Sequence, residues 1–388
     1  MANIVICNTK IGPYHAARIH ALSERIPQVL AVEVAGEEAL YPWWSNTGGS
    51  DLRKITLCPG GRYESIPVKK QLAEVEALLE QEQPRAVVVD GYSEPVMQTA
   101  ARWARRHHRL SVLLFISWAG DRRRFAPKEW AKRVLLASLF DAVGVGGELQ
   151  YAYARTLGVD ERRLWKLSNV IDNEHFAHGA REARANARAL RAQWQLPSRY
   201  FLYVGRYERW KNLRTLLEAY HAYREHGGYW DLVLVGSGQE EATLQQMIAT
   251  RKIPGVHWLG PRSYQELPIC YALASCFVLP SLSEPWGLVI NEAEACGLPI
   301  LASTQCGCLP ELVQRGVNGY TFAPTDTAEL TRLLLKMSSE KVDIFAFGKA
   351  SQQIVSVHSP ERWASALADC LNHEWPGLLR VTEQLSSK

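Results

Sequence analysis

Phe201-Leu202-Tyr203-Val204-Gly205-Arg206-Tyr207-Glu208-Arg209-Trp210-Lys211-Asn212 opens as an apolar strand, turns at a glycine and continues as a polar loop. After it, Leu213, Leu216, Leu217 and Tyr220 recur at helical spacing. The unit restarts in mid-chain a rhythm that begins with Asn3-Ile4-Val5-Ile6-Cys7 and the helical pattern over 15–26. Further strands are predicted at 29–34, 86–90, 111–117, 142–145 and 164–169, then at 231–235, 256–259, 276–280, 299–302 and 320–322. Strands alternating with helices throughout predict an α/β protein with parallel sheets. The mid-chain restart makes it two doubly wound, Rossmann-like domains facing a central cleft, with a ligand beyond the carboxyl ends of the strands. The expected boundaries are a first domain over 1–180, a linker over 181–198, a second domain over 199–365 and a helical tail over 366–388 that packs back on the first domain.

A length of 388 residues suits two cores better than one, and 47% hydrophobic with 22% charged residues excludes a disordered chain. The formal charge of +4 and pI near 8.5 suit an anionic ligand or an acidic membrane surface and select neither; no nucleic-acid partner is expected. Residues 1–7 lack the charged start and apolar stretch of a signal peptide, and no run approaches the ~20 apolar residues of a membrane span. A cytoplasmic protein is expected, with peripheral contact at the inner membrane face as a further option. Of the eight cysteines, Cys7, Cys270, Cys276 and Cys370 lie in apolar segments, as reduced buried thiols do. Cys306-Gly307-Cys308 has no second ligand pair nearby, so no metal is expected.

The chemistry concentrates in Ser283-Glu284-Pro285-Trp286-Gly287-Leu288-Val289-Ile290-Asn291-Glu292-Ala293. Glu284 falls on a loop, the N–H groups of Trp286, Gly287 and Leu288 open a helix, and Glu292 projects from it more than one turn in. Exposed N–H groups at a helix start attract phosphate oxygens. At ~1.5 Å rise per residue the two carboxylates lie up to about 12 Å apart, roughly the span of a folded nucleotide diphosphate sugar. Upstream, Arg206 follows a strand and Lys211 opens a helix for which Asn212 is a reasonable N-cap. A planar fork and a point charge are a pair that can hold a diphosphate. Gly236-Ser237-Gly238 is a strand-to-helix turn open to close backbone approach, and Arg262 follows a strand ending in Gly260-Pro261, suited to a base lying on backbone.

Taken in order, Gly205-Arg206 with Lys211-Asn212, Val235-Gly236-Ser237-Gly238, and Ser283 to Leu288 with Glu292-Ala293 resemble the family 4 retaining glycosyltransferases of GT-B fold. The likeness continues through Gly297-Leu298-Pro299 and Asn318-Gly319 and is thinner in the first half, where Ser168-Asn169-Val170-Ile171-Asp172 carries it. It implies that the first domain binds the acceptor. It gives Arg206 and Lys211 to the donor diphosphate, Glu292 to the ribose hydroxyls and Glu284 to the sugar, with Arg206, Lys211 and Glu284 as the catalytic set. The donor site would further include Gly12, Gly236, Gly238, Arg262, Trp286, Gly287 and Leu288. No cofactor or metal is implied, only a nucleotide diphosphate sugar as co-substrate, a UDP-sugar ahead of a GDP-sugar, and an acceptor hydroxyl. A hydrolase or epimerase of the same fold is the alternative, and behind it a Rossmann NAD-dependent oxidoreductase, whose glycine fingerprint does not follow Cys7 or Val235.

The first half departs from the pattern. Many relatives carry a histidine at the end of the fourth strand, where this chain reads Phe115-Ile116-Ser117-Trp118-Ala119-Gly120-Asp121; Ser117, Trp118 or Asp121 is expected in its place. His15 and Tyr92 complete the acceptor candidates, His15 reading either as a proton relay or as a residue that caps its helix. Asp90 reads as a cleft residue or a loop. Two basic stretches with interleaved aromatics, 102–109 and 122–132, read as solvated helix faces or as surfaces resting on an anionic membrane. Trp43-Trp44 beside Gly48-Gly49 reads as a loop suited to sugar stacking or packing.

Overall fold

A computed structural model describes residues 3–38, 52–376 and 378, so the Trp43-Trp44 loop lies outside the described residues. Contacts divide the chain into two compact units.

The first unit holds β1 (Ile4–Asn8), β2 (Val29–Glu33), β3 (Lys54–Thr56), β4 (Ala86–Asp90), β5 (Leu110–Phe115), β6 (Ala142–Val145) and β7 (Leu164–Lys166), all parallel, in the order β3-β2-β1-β4-β5-β6-β7. Period-2 alternation sends each strand's side chains to two different cores. Val5, Cys7, Val87 and Val89 meet Val75 and Leu79 of α2 (Val68–Glu82) and Met97 and Trp103 of α3 (Pro95–Arg106). Their neighbours Ile4, Ile6, Ala86 and Val88 meet Ile19 and Leu22 of α1 (Pro13–Arg25). A sheet covered on both faces is why these strands read as continuous apolar runs. Helices α4 (Ala126–Leu139) and α5 (Glu148–Thr156) complete this part of the chain.

The second unit takes in Gly120–Arg122 and then Asn173–Val357, which opens with α6 (Asn173–Ala185) and α7 (Ala187–Trp194) and carries the sheet β10-β9-β8-β11-β12-β13. Its strands are β8 (Tyr200–Val204), β9 (Asp231–Val235), β10 (Val256–Gly260), β11 (Cys276–Leu279), β12 (Ile300–Ser303) and β13 (Gly319–Phe322), again all parallel. Around them lie α8 (Leu213–Glu225), α9 (Glu241–Arg251), α10 (Leu267–Leu273), α11 (Leu288–Ala295), α12 (Leu309–Leu312), α13 (Thr327–Met337) and α14 (Ile344–Val355). The chain then re-enters the first unit as α15 (Pro360–Glu374), which packs on α1 through Trp363 and Leu367.

Three expectations need correction. The segment 181–198 is not a spacer: α6 packs on α10 with Phe176, Ala180 and Ala183 buried, and the division falls between Asp172 and Asn173. An alanine stripe buries a helix face while adding little to its hydropathy, which disguised it. The return to the first unit comes at 358 rather than 366. The strand expected over 164–169 stops at Lys166, and Ser168 takes a left-handed φ of 66°; the short β3 went unread.

Candidate functional site

In the second sheet the strand order reverses between β8 and β11, the place where doubly wound sheets open a crevice at their carboxyl ends. The loops after those two strands carry Arg206, Lys211 and Glu284. The Lys211 ammonium contacts the Glu284 carboxylate directly, and both side chains are mostly enclosed, at 13% and 14% exposure. Ser281 Oγ stands 3.4 Å from the same carboxylate oxygen. The Arg206 guanidinium lies over the Trp210 ring, 5.2 Å from its centre, and the Trp210 carbonyl accepts the Leu282 N–H at 2.7 Å, tying this loop to the end of β11.

Asn212 takes a different role from the one expected. It stands at the N-cap position of α8 in the left-handed conformation, φ 58°, and its side chain caps nothing. Its amide donates to the carbonyls of Pro280 (3.0 Å) and Pro324 (2.8 Å) and its oxygen accepts from Thr215 Oγ1 (2.9 Å). Asn212 thus staples the Lys211 loop to the segments that follow β11 and β13. Gly236 and Gly238 are accounted for by the same loop: a Cβ on Gly236 would stand 2.0 Å from the Gly205 carbonyl oxygen, and one on Gly238 would stand 2.6 Å from the Tyr207 backbone. The close approach they permit is to protein backbone.

The glutamate loop is laid along residues 305–308. Glu284 N–H donates to Gln305 O (3.0 Å), and Gly307 and Cys308 N–H donate back to Glu284 O and Trp286 O (3.0 and 3.2 Å). Gly287, left-handed at φ 107°, turns this ladder into α11, and its carbonyl accepts the Ile290 N–H at 2.8 Å. The Trp286 ring is buried and donates through Nε1 to Asn291 Oδ1 at 3.0 Å, so it anchors the turn; Leu288, partly buried, is the first residue of α11. The two glutamates differ sharply. Glu292 is only 1% exposed and accepts a 2.7 Å hydrogen bond from the buried Tyr271 hydroxyl. Two residues on, the fully buried Glu294 accepts from Asn318 Nδ2 at 2.8 Å, and burial pushes its carboxyl well above the usual range despite that bond. Arg262 lies over the Trp194 ring, 4.7 Å from its centre, and 3.8 Å from Glu266. Asp121, expected among the acceptor residues, groups with this unit; its carbonyl accepts from the Ser283 hydroxyl.

In the first unit the order reverses between β1 and β4, and the loops there bring His15 to Asp90, Nε2 to Oδ2 at 3.0 Å. The other ring nitrogen, Nδ1, accepts the Gly12 N–H at 3.1 Å, so the ring proton sits on Nε2 and His15 caps a backbone donor at the start of α1. Both nitrogens are thereby used, and the capping reading fits better than the relay. Burial pushes the Asp90 carboxyl up, but the hydrogen bond from His15 and the charge of Arg18 outweigh this and hold it below its usual value. Arg18, which sequence reasoning passed over, is buried and donates to Asn169 Oδ1 at 3.2 Å. Ile11 N–H, just before Gly12, donates to the buried Glu33 at 2.9 Å, fixing the loop after β1. Tyr92 stacks on Phe115, ring centres 5.8 Å apart, and Ser117 and Trp118 are half-buried, the Trp118 carbonyl accepting from Arg124.

Among the described residues no three His, Cys, Asp or Glu side chains gather as metal ligands would, and no helix is long and apolar enough to cross a membrane. All eight cysteines are free and buried, and burial raises the Cys306 and Cys308 thiols.

Two parallel α/β sheets, each with its order reversed at a loop-bearing switch point, define the GT-B architecture, and solved structures share it. HepE of Anabaena in complex with UDP-glucose superposes with a TM-score of 0.74 over 95% of this chain and 99% of its own, at 16% identity. Sucrose-phosphate synthase of Thermosynechococcus elongatus gives 0.74 over 96% and 99%, at 18% identity. In sequence, residues 187–354, which carry Arg206, Lys211, Glu284 and Glu292, match the family model of glycosyl transferases group 1. The chain is 36% identical over 140 residues to the O-antigen chain mannosyltransferase B of Escherichia coli, covering 35% of this chain and 36% of that protein. It is 30% identical over 150 residues to the amylovoran biosynthesis glycosyltransferase AmsK of Erwinia amylovora, 37% of each. The chain thus spans little more than a third of the length of these two relatives.

Proposed function

We propose that the protein is a retaining, metal-independent glycosyltransferase of family 4, working in the cytoplasm. It moves a sugar from a nucleotide diphosphate donor, a UDP-sugar ahead of a GDP-sugar, to an acceptor hydroxyl held by the first domain. The observation that carries this reading is the pairing of Lys211 with Glu284 at the switch point of the second sheet, inside the stretch that matches the glycosyl transferases group 1 model. The names of the relatives and the UDP-glucose in HepE point the same way.

In this reaction the anomeric C–O bond to the diphosphate breaks and a bond to the acceptor oxygen forms on the same face. Negative charge grows on the leaving phosphate, where Arg206 and Lys211 stabilise it, joined by the first N–H groups of α11. The acceptor's proton passes to the leaving phosphate oxygen, so no protein nucleophile is required. Glu284 takes the sugar hydroxyls once phosphate claims Lys211. Calorimetric titration with UDP, GDP, ADP and TDP tests the reading: we expect UDP to bind best, and binding of none of the four overturns it. NMR of the product anomer tests retention, and release of free sugar without acceptor would favour the hydrolase.

A further inference from the structure

The two basic stretches of the first unit have opposite fates in the fold. On α3, Arg105 pairs with Asp141, Arg106 with Glu76, and Arg102 donates to Gln98, while Trp103 is buried. That stretch is spent on internal contacts. On α4 and the residues just before it the arrangement is inverted: Phe125, Trp130 and Val134 are 62%, 68% and 46% exposed, and Arg123 and Arg133 are exposed beside them. Trp130 and Val134 are four residues apart, so they share one helix face. The one acid between 123 and 140, Glu129, is turned inward. It is taken by Lys132 and the Tyr153 hydroxyl, and those contacts, with Arg124 nearby, outweigh burial and hold its carboxyl below the usual range. The outward face therefore carries aromatic rings and cations with no anion among them.

We infer that α4, with residues 123–125 before it, is a docking face for an anionic lipid surface, on which Phe125 and Trp130 enter the interface while Arg123 and Arg133 meet lipid phosphates. Large aromatics with a polar rim suit the headgroup boundary, and cations within a Debye length of anionic lipid add their attraction. The inference uses α4 and the three residues before it and stands apart from the proposed glycosyl transfer.

Flotation of the full chain with vesicles tests it. Binding is expected to vesicles of phosphatidylcholine containing phosphatidylglycerol, with much weaker binding to phosphatidylcholine alone, and to fall as salt rises. Phe125→Ser with Trp130→Ser should weaken partitioning at least about tenfold. Arg123→Gln and Arg133→Gln should each weaken it about fivefold, the value of one cation near an anionic surface. Because all four side chains are exposed, circular dichroism and the melting temperature should stay as in the wild type, and Arg102→Gln on α3 serves as the matched control. Equal binding to both vesicle types, a loss in the α3 variant matching that in the α4 variants, or tight binding to heparin with no response to Phe125→Ser and Trp130→Ser would each overturn the inference.

Discussion

The Lys211 ammonium and the Glu284 carboxylate form an ion pair that links the loop after β8 to the loop after β11. Mostly enclosed, the pair leaves neither charge bare in the protein. Under the proposed function, an arriving diphosphate would compete with Glu284 for Lys211 and free a carboxylate beside the sugar. Lys211→Ala is expected to cut turnover by about 10²–10³-fold. It also strands Glu284, at a stability loss of about 1–3 kcal/mol. Adding Glu284→Gln should return the stability while leaving turnover low, as thermal melts and UDP release would report. Near-normal turnover in Lys211→Ala removes the lysine from the reaction.

Asn212 ties the same loop to two neighbouring segments, and its left-handed backbone lets the contributions be separated. Asn212→Gly keeps the backbone at ease and deletes the staples; about 1–3 kcal/mol should be lost. Asn212→Ala deletes them and adds left-handed strain of about 1 kcal/mol. Urea midpoints should therefore rank wild type, glycine, alanine. A glycine variant as stable as wild type would mean the staples contribute nothing.

The architecture was legible because both sheets are parallel and doubly covered, so that β1, β4, β8 and β9 appear as unbroken apolar runs between turn residues. The cations and glutamates of the second half were legible as motifs, since each sits at a fixed offset from a strand end. What escaped was whatever depends on a partner distant in sequence. Asn212 looks like a cap until the carbonyls of Pro280 and Pro324 are known. Tyr271 gives no sign in its own helix of the carboxylate 21 positions on. The glycines at 236 and 238 read as room for a ligand, whereas the Gly205–Tyr207 backbone fills it. Arg102–Arg109 and Arg122–Lys132 look alike as strings of letters, and only their acidic neighbours, from β6's flank to α2, tell them apart.

Tyr271 and Glu292 offer a way to separate bracing from ligand contact. Tyr271→Phe keeps the ring among Phe176 and Phe277 but removes the donor from a buried carboxylate, and should lose about 1–3 kcal/mol. Glu292→Gln is expected to lower the melting temperature and to weaken UDP binding about tenfold, a single charge-assisted contact. Unchanged UDP affinity beside a lowered melting temperature would leave Glu292 as a brace between α11 and α10.

Glu294 sets a pH dependence of opposite sign to that of an ordinary carboxylate. Burial raises its carboxyl in the folded chain, while the unfolded chain titrates near the ordinary value, about 4.3. Between those two values the folded protein binds the proton and the unfolded protein does not. Its contribution is therefore complete below the unfolded value and is lost as pH rises toward the folded one, by about 1.4 kcal/mol per pH unit. Glu294→Gln keeps an oxygen for Asn318 Nδ2 and has no proton to lose. The variant's stability relative to wild type should accordingly rise as pH is taken from about 5 to about 9, as urea midpoints across that range would measure. A difference that stays flat with pH would mean that Glu294 is ionised inside the fold.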